Sequence, residues 1–534
     1  MSLAMSLPER PNVATTVRPS GGTLNPASAT ATRGGTPAAT RATERRDRAV
    51  VTLLLLAVAA LANWNSAHKS LWTDEAYTLT TVGHSLAGTL SQSLHFELQP
   101  PVYFVLLHLW MALGGGIGVA RIVSTICIVG FVAICYAIGR LLRLPWPPAL
   151  AILAAVTPTV IWAASEARNY PLTLLLAGAT LYCFLRLMLA PPSRPAALTA
   201  AYAALAALSV GTFYYSAFLL FGQWVAALVV RRQRWRVTLA LAAAGVLCLP
   251  LVPIALGQWR LHPIDAPRAV AAHPTLSASV YMALATIDKG FVGDTMVFRA
   301  PHVVPAIAVA LLCVVAARLA VRSGRWHVDE QILLIAAAVP TVVLGALFAD
   351  LLIPIHSRHS MVLVPVVLTL NAVLLTRIVP RGLGWVVGSC FVGALVANVV
   401  YFEMREVNTE DWRGAAAYVE TQATADDRVV VFDPDRVLPF RYYYHGAAPL
   451  SALPVDPDLE RYSPINYAVH DTATVTARFA AIGVRDRVWL VEADRLLPDL
   501  VASRGVITEA TDQCCRVASR RHFHNVTVME LDVR

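Results

Sequence analysis

Long apolar runs alternate with short polar connections over most of the chain. A helix needs about 20 apolar residues to cross a bilayer. Eleven runs approach that length: 49–67, 122–138, 149–164, 171–185, 196–211, 213–230, 237–256, 303–317, 332–352, 361–375 and 383–402. They predict eleven transmembrane helices. A twelfth run, 100–113, has 14 residues and is not decided by length. From Glu403 the pattern changes. Short β-type runs at 428–432, 488–491 and 526–531 accompany a helical stretch at 412–421, which predicts a small α/β domain over 403–534. The first 48 residues, rich in Thr, Ala, Pro, Ser, Gly and Arg, read as a disordered leader, and the run from Ala49 as an uncleaved signal anchor.

Charge placement decides the twelfth run. Arginines cluster at Arg45/Arg46/Arg48, Arg140/Arg143, Arg186/Arg194, Arg231–Arg236, Arg318/Arg322/Arg325 and Arg377/Arg381. If 100–113 lies along the interface, every cluster falls on the cytoplasmic side, as the positive-inside rule prefers. If it spans, the five later clusters face outward. The expected topology is therefore N-in and C-out, with 49–402 as the membrane module. Loops 69–99, 165–170, 257–302 and 356–359 and the whole tail share the extracytoplasmic face of the cell membrane.

Composition agrees. Hydrophobic residues make up 57% and charged residues 14% of the 534, against about 25% charged in soluble proteins. The net charge of +9 sits between apolar runs, which points to membrane lipids and not to nucleic acid. Six of the eight cysteines lie inside apolar runs, where Cys is a small hydrophobe. Cys514 and Cys515 are adjacent in the tail, and no metal-binding Cys/His spacing occurs.

Four polar motifs fall on the extracytoplasmic loops. Trp72-Thr73-Asp74-Glu75-Ala76 places two acids just after a span, an expensive position without a task or a partner. One carboxylate can act as general base toward an attacking hydroxyl; the simpler reading is a solvated loop pair, with Thr73 capping a short helix. Glu97-Leu98-Gln99-Pro100-Pro101-Val102-Tyr103 sets an acid before a proline pair that starts a helix. Ser165-Glu166-Ala167-Arg168-Asn169-Tyr170 carries an acid and a cation able to pair with each other, and an aromatic of the kind found at interfaces. His356-Ser357-Arg358-His359 puts an arginine at a span mouth, as a headgroup anchor or a phosphate clamp.

These motifs, in this order, resemble the C-type glycosyltransferase superfamily, in the bacterial branch related to protein O-mannosyltransferases and the lipid A aminoarabinose transferase. The likeness covers roughly 49–375, and Asp411-Trp412-Arg413 is also similar. It implies transfer of mannose or a pentose from a polyprenyl-phosphate donor to a glycan, lipid or protein of the cell envelope. By the resemblance Asp74, Glu75 and Glu166 are the catalytic acids, and Glu97, Gln99, Arg168, Tyr170 and Arg358 bind the donor. The chain departs from the pattern at Gln99, where a cation is usual, and at Phe213-Tyr214-Tyr215, where His-Tyr-Tyr is common. No cofactor is assigned: the lipid-phosphate sugar is substrate, and no ligand set supports a divalent metal. A transporter or flippase of a lipid-linked or anionic precursor predicts intramembrane acids or broken helices in matching halves. No internal repeat is present, and Asp350 is the only acid well inside a predicted span. A non-catalytic envelope scaffold would leave the loop acids dispensable.

Overall fold

A computed structural model describes residues 37–261, 327–351, 357–378, 381–405, 410–460, 467–494, 496 and 498–534. The predicted span 303–317, the loop 262–302, the leader up to residue 36, and His356 lie outside the described residues. The chain divides into Met1–Arg46 and Asp47–Arg534; the sheet and the site belong to the second.

Helix α1 (Pro37–His68) leads through the short helices α2 (Thr73–Val82), α3 (Leu86–His95) and α4 (Val102–Met111) to α5 (Ile117–Leu141). Helix α4, the twelfth run expected to lie along the interface, has only 10 residues, too few to cross a bilayer at about 1.5 Å per residue. The predicted span 149–164 is two helices, α6 (Pro148–Val156) and α7 (Pro158–Ala164). Pro158 forces the break: it disfavours helical backbone at the preceding residue, and Thr157 is extended at φ −73°, ψ 121°. Helices α8 (Tyr170–Leu189), α9 (Pro195–Thr212) and α10 (Ser216–Val230) follow. The predicted span 237–256 also breaks, into α11 (Arg234–Cys248) and α12 (Leu251–Leu261), bent by 67° around Pro250.

Helix α13 (Val328–Leu351) precedes the single turn α14 (Ser357–Ser360), a 3-10 turn, α15 (Val364–Val373) and a π-turn at Leu374–Ile378. Helix α16 (Arg381–Arg405) completes the bundle. Among the described residues six helices are long and apolar enough to cross a membrane, or seven if the bent pair is one span. The chain is a multi-pass membrane protein.

At one end of the bundle, Arg377 pairs with Asp329 at 2.5 Å and donates to the Leu142 carbonyl. At the other, the mouth end, the connections after α1, α7 and α9 meet the start of α14. The chain leaves α16 at this end and forms α17 (Trp412–Gln422), β1 (Arg428–Phe432), α18 (Val437–Tyr443), β2 (Leu450–Leu453), α19 (Thr472–Ala481), β3 (Arg487–Ala493), α20 (Pro498–Cys514), β4 (Cys515–Phe523) and β5 (Val526–Val533). The sheet order is β2-β1-β3-β5-β4, parallel through the first three strands and antiparallel through the last two. The predicted strands at 428–432, 488–491 and 526–531 are β1, β3 and β5; β4 escapes the pattern because its arginine-rich sequence lacks apolar alternation.

One sheet face packs on α19 and α20 around Phe432, Leu490 and Leu531. The other continues into the mouth: Trp412, Phe440, Trp489 and Val528 join Leu71, Ala76, Tyr103, Phe104 and Leu107 in a single buried apolar cluster. The tail therefore covers the loop that carries Asp74 and Glu75.

Candidate active site at the mouth of the bundle

Asp74 and Glu75 open helix α2, and neighbours on a helix diverge by about 100°. Glu75 turns inward and is fully buried. It accepts from Arg121 Nε at 2.8 Å and Nη2 at 2.5 Å, and from the Ala167 N–H at 2.7 Å. The remaining Arg121 donors reach the Ser66, Lys69 and Ser70 carbonyls at 2.9, 3.0 and 3.2 Å. Those oxygens sit at or just beyond the C-terminus of α1, where helix carbonyls lack partners of their own. The Arg121–Glu75 pair thus ties α1, α2 and the 165–170 loop together. Thr73 is not a cap: it is the first residue of α2, and its buried Oγ1 has no hydrogen-bond partner.

Asp74 turns toward the mouth and is 25% exposed. Arg358 Nη1 lies 3.7 Å and Arg168 Nη2 4.0 Å from its Oδ2. The two cations differ. Arg168 is buried and committed, with Nη1 bonded to Glu97 at 2.8 Å, Thr78 Oγ1 at 2.8 Å and the Asp74 carbonyl at 3.0 Å. Arg358 is 40% exposed and lies beside the buried Tyr170, whose ring stacks on Trp162 at 5.3 Å. Arg168 therefore pairs with Glu97 and not with Glu166. Burial pushes the Glu97 carboxyl above its usual range, against the pull of Arg168.

Gln99 joins the same wall: its Oε1 accepts from Asn169 at 2.8 Å, and that amide also reaches the Thr212 carbonyl. Glu166 lies behind the mouth with a buried, unpartnered Oε2. Burial and the nearby charge of Glu75 push its carboxyl up to about 8, although Lys69 and Arg121 oppose the shift. Tyr215, from the aromatic triplet, stacks on His359 at 5.0 Å.

The tail supplies residues that the motifs did not indicate. Tyr77, one turn after Asp74, donates its phenol proton to Asp435 Oδ1. Tyr443 Oη accepts from the Leu71 N–H at 2.8 Å, and Tyr442 Oη from the Ile117 N–H at 3.0 Å. Burial raises the Asp435 carboxyl and takes that of Asp433 to about 6. Arg121 did carry a signal, an arginine one turn into an apolar helix. Among the described residues, no three His, Cys, Asp or Glu side chains gather as a metal-binding group.

No family model matches the chain, and no curated protein sequence does. Solved structures match. ArnT from Cupriavidus metallidurans, a lipid A aminoarabinose transferase in its apo state, aligns at a TM-score of 0.51 with 15% identity, over 90% of this chain and 97% of its own. The archaeal oligosaccharyltransferase AglB from Archaeoglobus fulgidus, solved with an inhibitory peptide and a dolichol-phosphate, aligns at 0.48 with 12% identity, over 87% of this chain and 72% of its own. The likeness to ArnT over nearly the full length of both chains gives this protein the fold of the C-type membrane glycosyltransferases, the superfamily its motifs resemble.

Proposed function

We propose that this protein transfers a sugar, a hexose such as mannose or a pentose, from a polyprenyl-phosphate donor to an envelope glycan, lipid or protein. The positions of the arginine clusters support a reaction on the extracytoplasmic side of the cell membrane. One observation carries the reading: of the four motif acids only Asp74 reaches the mouth, and it does so beside two guanidinium groups. Glu75, Glu97 and Glu166 are buried.

In this reading Asp74 takes the proton of the acceptor hydroxyl as its oxygen bonds to the anomeric carbon. The bond from that carbon to the phosphate oxygen breaks on the opposite side, inverting the centre. The electron pair leaves with the phosphate, and Arg358, half-exposed at the mouth, stabilises it. Arg168, held by Glu97 and α2, keeps the two halves of the mouth in register. Glu75, held on both oxygens, fixes the helix that presents Asp74. Glu166, its carboxyl pushed up by burial and the charge of Glu75, serves as framework.

The test compares membranes carrying the wild type or Asp74→Asn, supplied with radiolabelled polyprenyl-phosphate sugars. Loss of a general base predicts a fall of about 10²- to 10⁴-fold at equal protein level. Transfer that survives the substitution removes Asp74 from this role.

A further inference from the structure

Among the described residues Asp74 has no close hydrogen bond to its carboxylate; its cationic partners stand 3.7 and 4.0 Å away. Its position depends on helix α2, which has only ten residues, and short isolated helices are marginal in water. Several side chains of α2 anchor it: Thr78 accepts from Arg168 at 2.8 Å and Thr81 donates to Glu97 at 3.4 Å. Glu75 grips Arg121 on the inner side. Tyr77, three residues after Asp74 and so next to it on the helix surface, reaches Asp435 in the tail.

Asp435 is itself braced. It sits in the turn Pro434–Arg436 directly after β1, and its N–H donates to Asp433 Oδ1 at 3.1 Å. Arg436 closes the turn by pairing with Glu410 and, at 3.8 Å, with Asp433. The Tyr77 ring meets Phe96 edge-to-face at 5.1 Å, which limits its swing. The contact thus runs from a rigid strand end to the helix that carries the exposed acid.

We infer that Asp435 is a positioning residue for Asp74: through the Tyr77 phenol, the tail sets where α2 holds its carboxylate. The tail is in that sense part of the reaction centre. The inference rests on the proposed transferase reading for its kinetic consequence, but not for its structural one.

The test uses the full chain in detergent, as wild type, Tyr77→Phe, Asp435→Ala, the double variant, and Tyr442→Phe. The last loses a different tail hydroxyl contact, to Ile117 instead of α2. Amide hydrogen exchange across Thr73–Val82 is expected to accelerate about tenfold or more in the first two variants, to the same extent in the double variant, and not in Tyr442→Phe. In transfer assays kcat falls by up to about 100-fold, the cost of a misplacement near 1 Å, while the donor KM stays constant. Unchanged exchange in α2, equal acceleration in Tyr442→Phe, or additive losses in the double variant would overturn the positioning role. A wild type that transfers no sugar would sink the transferase reading alone, because exchange still decides the role of Asp435.

Discussion

Two adjacent carboxylates on one helix meet opposite environments at this mouth. Asp74 stays in contact with solvent, while Glu75 is held by a buried guanidinium whose other donors all find carbonyl oxygens. A buried pair of this kind tolerates loss of one partner badly, because the other charge is then left without compensation. Glu166 is the third case, an acid buried without a partner for Oε2. Its carboxyl is raised from an ordinary 4.5 to about 8. Between those values the folded chain keeps a proton that the unfolded chain has released, so stability falls as pH rises through the window and levels off above it. Glu166→Gln removes that dependence. Thermal unfolding in detergent at pH 5 and pH 8 is expected to show the wild type losing melting temperature relative to the variant, with the widest gap at pH 8. An equal pH response in both proteins would place the Glu166 proton elsewhere. The motif residues were legible in the sequence as a group, but their division of labour was not. Residue order does not say that Asp74 faces the mouth and Glu75 the interior, nor that Arg168 reaches back to Glu97.

Helices in this bundle approach closely where glycine removes a side chain. Gly222 on α10 faces α13, and a Cβ there would lie 2.6 Å from Pro340 Cδ and 2.9 Å from the Ala336 carbonyl oxygen. Neither a proline ring nor a helix backbone yields easily. Gly222→Val is expected to destabilise the protein by about 1–3 kcal/mol through overpacking. Gly245→Ala on α11, with nothing within 4 Å of its Cβ, should leave the melting temperature unchanged or slightly raised. Equal melting temperatures for Gly222→Val and wild type would mean that α10 and α13 separate freely. Among the described residues the apolar runs fall on helices, but six or seven of these, not the expected eleven, are long and apolar enough to span, and two runs are broken. Pro158 and Pro250 were visible in the sequence, yet an apolar count registers a proline-broken run as one span. Both breaks follow from the backbone restrictions that proline imposes on its neighbours.

Across the whole molecule, the tail and the first mouth loop share one apolar cluster, with Leu71, Tyr103 and Phe104 packed among residues of α17, α18 and the sheet. Deleting 410–534 uncovers that surface. The truncated protein is expected to aggregate on gel filtration in detergent and to lose transfer activity; a monodisperse, active truncation would show that the helices complete the mouth alone. Arginine placement anticipated that the loops carrying Asp74, Glu166 and Arg358 would share one end, because charge parity records which connections lie together. It carried no information about packing between tail and loop, which depends on groups some 340 residues apart, such as the Ser70 hydroxyl and the Arg413 N–H that donates to it. The sheet order adds a matter of timing. Strand β5 lies between β3 and β4 and follows every described helix, so β4 has no strand to pair with until β5 has left the ribosome and crossed to the mouth side. A nascent chain can insert its helices and expose Asp74 long before the tail closes over α2. Competence is thus acquired only once β5 has been made, not span by span as the membrane part is threaded in.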